Sequence, residues 1–238
     1  MHVIRAIVFD RDGTLFNCRR TLAASARAGL MDLADGNAAK ARALGRLCGF
    51  DFDAACFLQD SLLLDGESAD IAEALLVALP GATARAVISR LSASRAEAAP
   101  VEATPLVPLL SELLARGIDV AVATNGTAQE TRRQLGKTGV LRGFRAVINA
   151  SDGYAPKPAP DMLHAFLDMA GHPAKACVMV GDSVSDLVAG RKAGMVCIGV
   201  LTGKTASATL APHADAILPH IGALPAWLDR NAVSRDAA

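Results

Sequence analysis

The stretch V-I-R-A-I-V-F-D-R-D-G-T-L, residues 3–15, decides the fold. Its first part, Val3–Phe9, is apolar except for Arg5 and ends at the carboxylate of Asp10. A short apolar run of this kind predicts a strand buried on both faces, as in a parallel sheet. The run is too short for a secretory signal, and no small-residue cleavage site follows it. We therefore expect a buried strand here, with polar residues at its carboxyl end.

Apolar strands and amphipathic helices alternate after residue 100. Strands are predicted at Ile118–Ala123, Val147–Asn149, Cys177–Val180 and Met195–Leu201. Helices are predicted between them, beginning near residues 107, 127, 160 and 184. One helix start is marked by a T-x-x-E capping box, formed by Thr127 and Glu130. This alternation is typical of a Rossmann-like α/β fold, in which helices flank a parallel sheet.

Residues 17–96 follow a different pattern. Apolar side chains recur at helical spacing, for example at Ile71, Leu75 and Leu79, and no convincing strand is found. The stretch Glu97–Pro108 contains three prolines and is predicted to be a linker. We therefore predict a core of residues 1–16 and 97–238, with an all-helical cap of residues 17–96 inserted after the first strand.

The composition limits the classes of protein to which the chain can belong. Of its 238 residues 52% are hydrophobic, and the mean hydropathy is +0.31, so a buried core is expected and not disorder. The 24 basic and 24 acidic side chains balance, which argues against nucleic acid or a membrane surface as a partner. No apolar run approaches the roughly 20 residues that span a bilayer. The five cysteines are scattered without a C-x-x-C pair, which predicts reduced thiols and a cytoplasmic protein.

Two acidic residues end the first strand. Strand alternation predicts that Asp10 and Asp12 point the same way and that Arg11 points to the opposite side. Two carboxylates so close together repel each other, so a cation is expected to share the site. A calcium loop of the EF-hand type is excluded, because such a loop has its glycine at the sixth position and Gly13 is only the fourth residue here.

Polar residues also follow the later strands. Asp182 and Asp186 come after Cys177–Val180, and Asp186 has in addition the spacing of a helix cap with Ser183. Thr124 ends another strand, and Lys157 lies in a proline-rich loop, where a single lysine is usually solvated. Ligands of open parallel sheets bind outside the carboxyl ends of the strands. The residues together predict an acidic metal site with one hydroxyl and one cation added, which suits a phosphate monoester.

Four motifs carry a resemblance to a known family. They are D-R-D-G-T-L at 10–15, T-N-G at 124–126, K-P-A-P at 157–160 and G-D-S-V-S-D at 181–186. In this order they resemble the motifs of the haloacid dehalogenase-like hydrolase superfamily, in particular of its phosphoglycolate phosphatase-like members. Such members carry a helical cap after the first strand, which matches the predicted insertion.

The resemblance implies a role for each motif residue. Asp10 would be the nucleophile that forms an aspartyl-phosphate, and Asp12 would protonate the leaving alkoxide and later deprotonate the hydrolytic water. The phosphoryl oxygens would be held by Thr124, Lys157 and the backbone amides of Asn125 and Gly126. Mg²⁺ would be held by the Asp10 carboxylate, the Asp12 backbone carbonyl and Asp182, with Asp186 acting through water or by orienting its neighbours.

The resemblance favours ester hydrolysis but leaves the substrate open. Members that dehalogenate, or that cleave phosphonates, lack an acid at the position of Asp12. Arg11 departs from the family pattern, in which an apolar residue is commoner, and we treat it as weak information about the substrate. Phosphoglycolate and sugar phosphates both remain candidates, as do a monomer and a homodimer.

Three functions are therefore weighed. The leading one is a Mg²⁺-dependent phosphatase that acts on a small cytoplasmic metabolite. A phosphomutase would use the same residues and return the phosphoryl group to a sugar. A non-catalytic regulator would keep the acidic pocket, but it has little use for Asp12.

Two further features are assigned no role in catalysis. The segment Gly199–Thr205 resembles a phosphate-binding P-loop, but Ile198 stands where the first glycine belongs. Trp227, the single tryptophan, is predicted to be a packing anchor.

Overall fold

The computed structural model describes residues 3–97 and 99–233. The chain divides into two compact units, which we call the core unit (Met1–Cys18 with Pro100–Ala238) and the inserted unit (Arg19–Ala99). The predicted insertion, residues 17–96, begins at 17 where the inserted unit begins at 19, and ends at 96 where that unit ends at 99.

Short strands and helices alternate along the core unit, and helices predominate in the inserted unit. In chain order the strands are β1 (Ala6–Phe9), β2 (Phe50–Asp51), β3 (Cys56–Phe57), β4 (Asp119–Thr124), β5 (Ala146–Asn149), β6 (Cys177–Gly181), β7 (Val196–Val200) and β8 (Ala216–Leu218). The helices are α1 (Cys18–Leu33), α2 (Ala38–Leu47), α3 (Leu62–Asp65), α4 (Ser68–Leu76), α5 (Ala84–Glu97), α6 (Leu106–Ala115), α7 (Ala128–Lys137), α8 (Asp161–Ala170), α9 (Val184–Lys192), α10 (Ser207–Leu210) and α11 (Leu224–Val233).

The core unit is built on a six-stranded sheet with the order β5-β4-β1-β6-β7-β8. All of its strand pairs are parallel. β1 lies between β4 and β6, with Phe9 opposite both Val122 and Val180. The chain passes from β1 to β4 on one side and later crosses to β6 on the other. The carboxyl end of β1 is therefore at a topological switch point, the place where open α/β sheets bind their ligands.

Helices cover both faces of this sheet. β1 sends Ile7 and Phe9 to one face, where they join a cluster that includes Trp227 of α11. It sends Ala6 and Val8 to the other face, where they pack with side chains of α8 and α9. Both faces of β1 are buried, as its continuously apolar sequence, A-I-V-F, predicts. The predicted α/β fold is confirmed, and so is the packing role of Trp227.

The inserted unit has its own hydrophobic core. The cluster is formed by side chains from four of its helices, among them Leu30, Leu44, Leu75 and Val87. The prediction of an all-helical insertion is wrong in one respect, because β2 and β3 form a small antiparallel ribbon in which Phe50 pairs with Phe57. Each of these strands has two residues, which is too short to show alternation in a sequence.

The sheet departs from the prediction at the start of one inner strand and at one edge. β1 begins at Ala6 and not at Val3, and the edge strand β8 was not predicted. β8 has three residues, two of them only half-buried, so its sequence lacks the strong apolar run that marks the inner strands.

Two further predictions concern the cysteine thiols and membrane-spanning segments. All five cysteine thiols are free, as predicted. Within residues 3–97 and 99–233, no helix combines the length and the apolar character needed to cross a bilayer.

The packing of β1 predicts a large loss of stability for Ile7→Ala. Ile7 is completely buried in the cluster that contains Trp227, so truncation leaves a cavity and is expected to cost about 2–5 kcal/mol of the free energy of unfolding. Trp227 is the only tryptophan, so its fluorescence during urea denaturation reports on the core unit. Val107→Ala is the control, because Val107 is exposed on α6 and its truncation is expected to change stability by about 0.5 kcal/mol or less. Equal shifts for both variants would contradict this packing.

Candidate active site

Asp10 is the first residue after β1, at the carboxyl edge of the sheet. Its backbone amide donates to the Val180 carbonyl at 2.8 Å, which ties it to the neighbouring strand β6. The chain then turns, because the amides of Leu15 and Phe16 both donate to the Arg11 carbonyl, at 3.0 and 3.1 Å. Asp10 is therefore held where the buried strand stops and an irregular turn begins.

Lys157 places its ammonium group among three acceptors of the site. Its Nζ atom donates to Asp10 Oδ1 at 2.6 Å and to the Ala123 carbonyl at 2.8 Å, and it lies 2.6 Å from Asp186 Oδ1. These three acceptors match the three N–H donors of an ammonium group. The Lys157 side chain is 2% exposed, so it is not the solvated lysine that its loop position alone suggests. The family resemblance implies a place for Lys157 in the site, but its acceptors come from distant parts of the chain, and only the structure identifies them.

Asn125 fixes the loop that carries Lys157. Its side-chain oxygen accepts from the Lys157 amide at 2.8 Å, and its side-chain amide donates to the Lys157 carbonyl at 3.1 Å. The Asn125 side chain thus hydrogen-bonds to both the backbone N–H and the backbone carbonyl of Lys157, as a neighbouring β-strand would. The family resemblance implies a role only for the backbone amide of Asn125, so this role of its side chain comes from the structure alone.

Three carboxylates converge at this edge. One oxygen each from Asp10, Asp182 and Asp186 lie within 4.8 Å of one another. Oxygen ligands on opposite sides of Mg²⁺ are about 4.2 Å apart, so the cluster is close to the size of a magnesium coordination shell. The donor set is all oxygen, as Mg²⁺ prefers, and the residues present therefore fit the expected ion.

Burial and mutual repulsion raise the pKa of two of these carboxyl groups. Burial is the main cause that raises the pKa of Asp10 to about 7, Lys157 opposes it, and the charges of Asp186 and Asp182 add to it. Burial, followed by Asp186, raises the pKa of Asp182 to about 6, while the Lys204 backbone amide opposes this by donating a hydrogen bond. A divalent cation would favour the ionised form of every carboxylate in the cluster.

Lys157 keeps its charge in this environment. Burial by itself would lower the pKa of Lys157, but the attraction of Asp10 and Asp186 outweighs it and raises the pKa above its ordinary value. The buried ammonium is therefore positive, and it compensates part of the negative charge of the cluster.

Asp186 has two structural partners. Its Oδ2 atom accepts from the Ser183 amide at 3.1 Å and from the Ser183 hydroxyl at 2.6 Å, which completes the capping box that begins α9. Its Oδ1 atom contacts Lys157. The two interpretations of Asp186, as a helix cap and as a member of the acidic site, thus describe different oxygens of one side chain.

Thr124 and Gly126 contact each other at the end of β4. The Thr124 hydroxyl accepts from the Gly126 amide at 3.1 Å, and the Thr124 side chain is almost completely buried. The predicted phosphate donor at Gly126 is therefore already engaged within the turn. The hydroxyl proton of Thr124 is not used in that bond.

The side chain of Asp12 departs from the sequence prediction. It pairs with Arg11, whose Nε atom donates to Asp12 Oδ2 at 3.0 Å and whose Nη2 atom contacts the same oxygen. Strand alternation predicts that Arg11 and Asp12 point to opposite sides, and their contact contradicts this. The reason is that β1 ends at Phe9 and residues 11–15 form a turn.

A loop after β7 also belongs to the site. The Thr202 hydroxyl donates to the Gly13 carbonyl at 2.6 Å. A Cβ atom on Gly203 would lie 1.7 Å from Asp182 Oδ2, and one on Gly13 would lie 2.4 Å from the Asp182 carboxyl carbon. The sequence identifies the segment 199–205 only as resembling a P-loop. Gly203, the third residue after β7, is the one sequence signal of this close approach.

Comparisons with known proteins agree with this arrangement. The family model described as haloacid dehalogenase-like hydrolase matches residues 4–194. The phosphoglycolate phosphatase of Yersinia pseudotuberculosis is 31% identical over 116 residues, which are 48% of this chain and 50% of that protein. The phosphoglycolate phosphatase of Agrobacterium fabrum is 33% identical over 135 residues, 56% and 57% of the two chains. The matches thus span about half the length of these relatives.

Solved structures share the fold over almost the whole chain. A HAD-superfamily hydrolase of subfamily IA, variant 1, from Geobacter sulfurreducens superposes with a TM-score of 0.62 at 18% identity. The match covers 94% of this chain and 96% of that one. With the family match over residues 4–194 and the convergence of the four predicted motifs at one sheet edge, the chain belongs to the haloacid dehalogenase-like hydrolases.

Proposed function

We propose that this protein is a Mg²⁺-dependent phosphatase that hydrolyses the phosphate monoester of a small metabolite through an aspartyl-phosphate. The observation that carries the proposal is the buried contact of Lys157 Nζ with Asp10 Oδ1 and Asp186 Oδ1, beside Asp182. A carboxylate held in this way at a strand end, with two further acids to share a cation, suits attack on a phosphoryl group.

Asp10 is the proposed nucleophile because Lys157 holds only one of its two oxygens. Lys157 binds Oδ1, so Oδ2 lies outside that contact. In the first step Oδ2 attacks phosphorus, the P–O bond to the leaving group breaks, and its electron pair goes to the leaving oxygen. Lys157 stabilises the ionised form of Asp10 that this attack requires.

Asp12 is the proposed proton carrier. It gives a proton to the leaving oxygen in the first step and takes one from water in the second. That water attacks the phosphorus of the aspartyl-phosphate, inorganic phosphate leaves, and the Asp10 carboxylate is restored. Asp12 ends protonated, as it began.

Mg²⁺ would be held by Asp10, Asp182 and the Asp12 backbone carbonyl, with Asp186 acting through water or by orienting its neighbours. The ion would supply charge neutralisation between the nucleophile and the phosphate. Lys157 supplies a second positive charge from within the protein. We further propose that the Thr124 hydroxyl proton, with the amides of Asn125 and Gly126, orients the phosphoryl oxygens, for which the Gly126 amide must release Thr124.

The proposed substrate is a small phosphorylated metabolite, either phosphoglycolate-like or a sugar phosphate. Two relatives that match half of their length to this chain are named phosphoglycolate phosphatase, which supports the first class. Nucleic acid and membranes are not proposed as partners, since basic and acidic side chains balance at 24 each. We propose that the protein acts in the cytoplasm.

The proposed nucleophile predicts the effect of Asp10→Asn. Without a carboxylate nucleophile, release of inorganic phosphate from p-nitrophenyl phosphate and from a panel of metabolite phosphates is expected to fall by about three orders of magnitude or more. The wild-type activity is expected to require Mg²⁺ and to disappear with EDTA. Asp168→Asn is the matched control, because Asp168 is exposed on α8.

The alternatives give different results in the same assay. Activity that survives Asp10→Asn would contradict the mechanism. Interconversion of sugar phosphates without release of inorganic phosphate would identify a mutase, and inactivity across the panel would favour a binding role.

The close approach of Gly203 to Asp182 predicts the effect of Gly203→Ala. The new methyl group would meet Asp182 Oδ2 at 1.7 Å, so Asp182 must move. Changes that disturb the orientation of a metal ligand commonly cost 10–100-fold in affinity, and we expect a loss of at least about tenfold. Mn²⁺ binding followed by electron paramagnetic resonance measures this without an activity assay.

Gly136→Ala is the matched control for Gly203→Ala. A Cβ atom at Gly136 has no neighbour within 4 Å, so Mn²⁺ affinity is expected to stay unchanged. Unchanged affinity in Gly203→Ala as well would exclude Asp182 from the metal site.

A further inference from the structure

Arg11 is a buried cation in the turn between Asp10 and Asp12. Its side chain is 3% exposed. Besides its two contacts with Asp12 Oδ2, it donates from Nη1 to Thr131 Oγ1 at 3.2 Å, and its Nη2 atom lies 3.5 Å from Glu130 Oε2. A fully buried guanidinium needs such partners, and here they come from two separate segments.

These contacts join two loops of the site. Thr131 and Glu130 lie in the first turns of α7, directly after the segment of Thr124 and Gly126. The guanidinium also lies against Gly126, where a Cβ atom would be 2.8 Å from Nη2. Arg11 therefore fastens the turn after β1 to the turn after β4.

The capping box predicted at the start of α7 is only half formed, and its Glu130 carboxylate lies beside Arg11. The Thr127 hydroxyl accepts from the Glu130 amide at 3.3 Å, which is the first half of the predicted capping box. The Glu130 carboxylate does not complete the box. It accepts from Gln134 Nε2 at 3.2 Å and faces Arg11.

The consequence for Asp12 is that Arg11 holds one of its two carboxylate oxygens. Both contacts from Arg11 go to Oδ2, so Oδ1 lies outside this salt bridge. The Asp12 side chain is 51% exposed, so without Arg11 it would sample several rotamers. The planar fork of an arginine fixes a direction, which a lysine ammonium does not.

We propose that Arg11 is a positioning residue for proton transfer by Asp12: it holds Oδ2 and presents Oδ1 to the leaving oxygen. This inference rests on the proposed function, because Asp12 needs to be oriented only if it carries the proton in that reaction. Thr131 and Glu130 anchor Arg11 to α7, so the direction of Oδ1 is set by the fold and not by the turn alone.

The test compares leaving groups that differ in their need for a proton. Nitrophenolate is a good leaving group and departs without being protonated. A glycerol alkoxide must receive a proton as it departs. The constant kcat/KM reports only the steps up to loss of the leaving group, so it isolates this proton transfer. For Arg11→Lys and Arg11→Met, we expect kcat/KM to fall about 10–100-fold on β-glycerol phosphate and less than about threefold on p-nitrophenyl phosphate.

Companion variants separate positioning from folding. Thr131→Val removes one anchor and keeps Arg11, and we expect a smaller loss with the same preference for β-glycerol phosphate. Thr131→Val also tests the proposal if the Arg11 variants do not fold. Arg132→Met is the matched control, because Arg132 is exposed on the same helix, and it is expected to leave both values unchanged.

Each outcome is decisive. Equal losses on both substrates would show a merely structural role and overturn the proposal, and so would unchanged values in both Arg11 variants. Asp12→Asn is measured in parallel. If Asp12→Asn lacks the selective loss on β-glycerol phosphate, the proposed function fails at its proton carrier and the role of Arg11 fails with it. If Asp12→Asn shows the loss and Arg11→Lys does not, only the role of Arg11 fails.

Discussion

The contact of the Lys157 ammonium with Asp10, Asp186 and the Ala123 carbonyl is the constraint on which the rest of the site depends. A buried charge is tolerated only when it is paired and fully hydrogen-bonded. The partners come from the ends of β1 and β4 and from the start of α9, and Lys157 itself from the loop after β5. The ion cluster therefore forms only when four segments of the chain have reached their places at the sheet edge.

The apolar layers make this convergence possible. β1 is buried on both faces and pairs with β4 and β6, so its carboxyl end is held in a defined place relative to theirs. Three acids at this edge repel one another, and Lys157 balances only part of their charge. Of the described basic side chains, Arg11 and Lys157 are the buried ones, and both contact an acid of the motif at residues 10–12. The protein thus places its two buried cations on separate carboxylates, one for the proposed nucleophile and one for the proposed proton carrier.

Prediction from the sequence succeeded where a pattern is local and strong. Continuous apolar runs identified the inner strands, and polar residues at their ends identified Asp10, Asp182 and Asp186 as neighbours. Prediction failed where the pattern is short or where partners are distant. The ribbon at Phe50–Asp51 and the edge strand Ala216–Leu218 are too short to show a period. The burial of Lys157 depends on acceptors 34 and 147 residues away along the chain.

The sequence by itself determined the class of the fold and the family, since apolar strands alternate with helices and four motifs occur in a characteristic order. Only the tertiary structure decided how the motif residues are used. Strand alternation predicts Arg11 and Asp12 on opposite sides, but the strand ends at Phe9 and the turn brings Asp12 to Arg11. Arg11 in turn is fixed by Thr131, 120 residues further along the chain. Hydrophobic pattern is a property of neighbouring residues, whereas the pairing of buried charges depends on which distant segments the fold brings together.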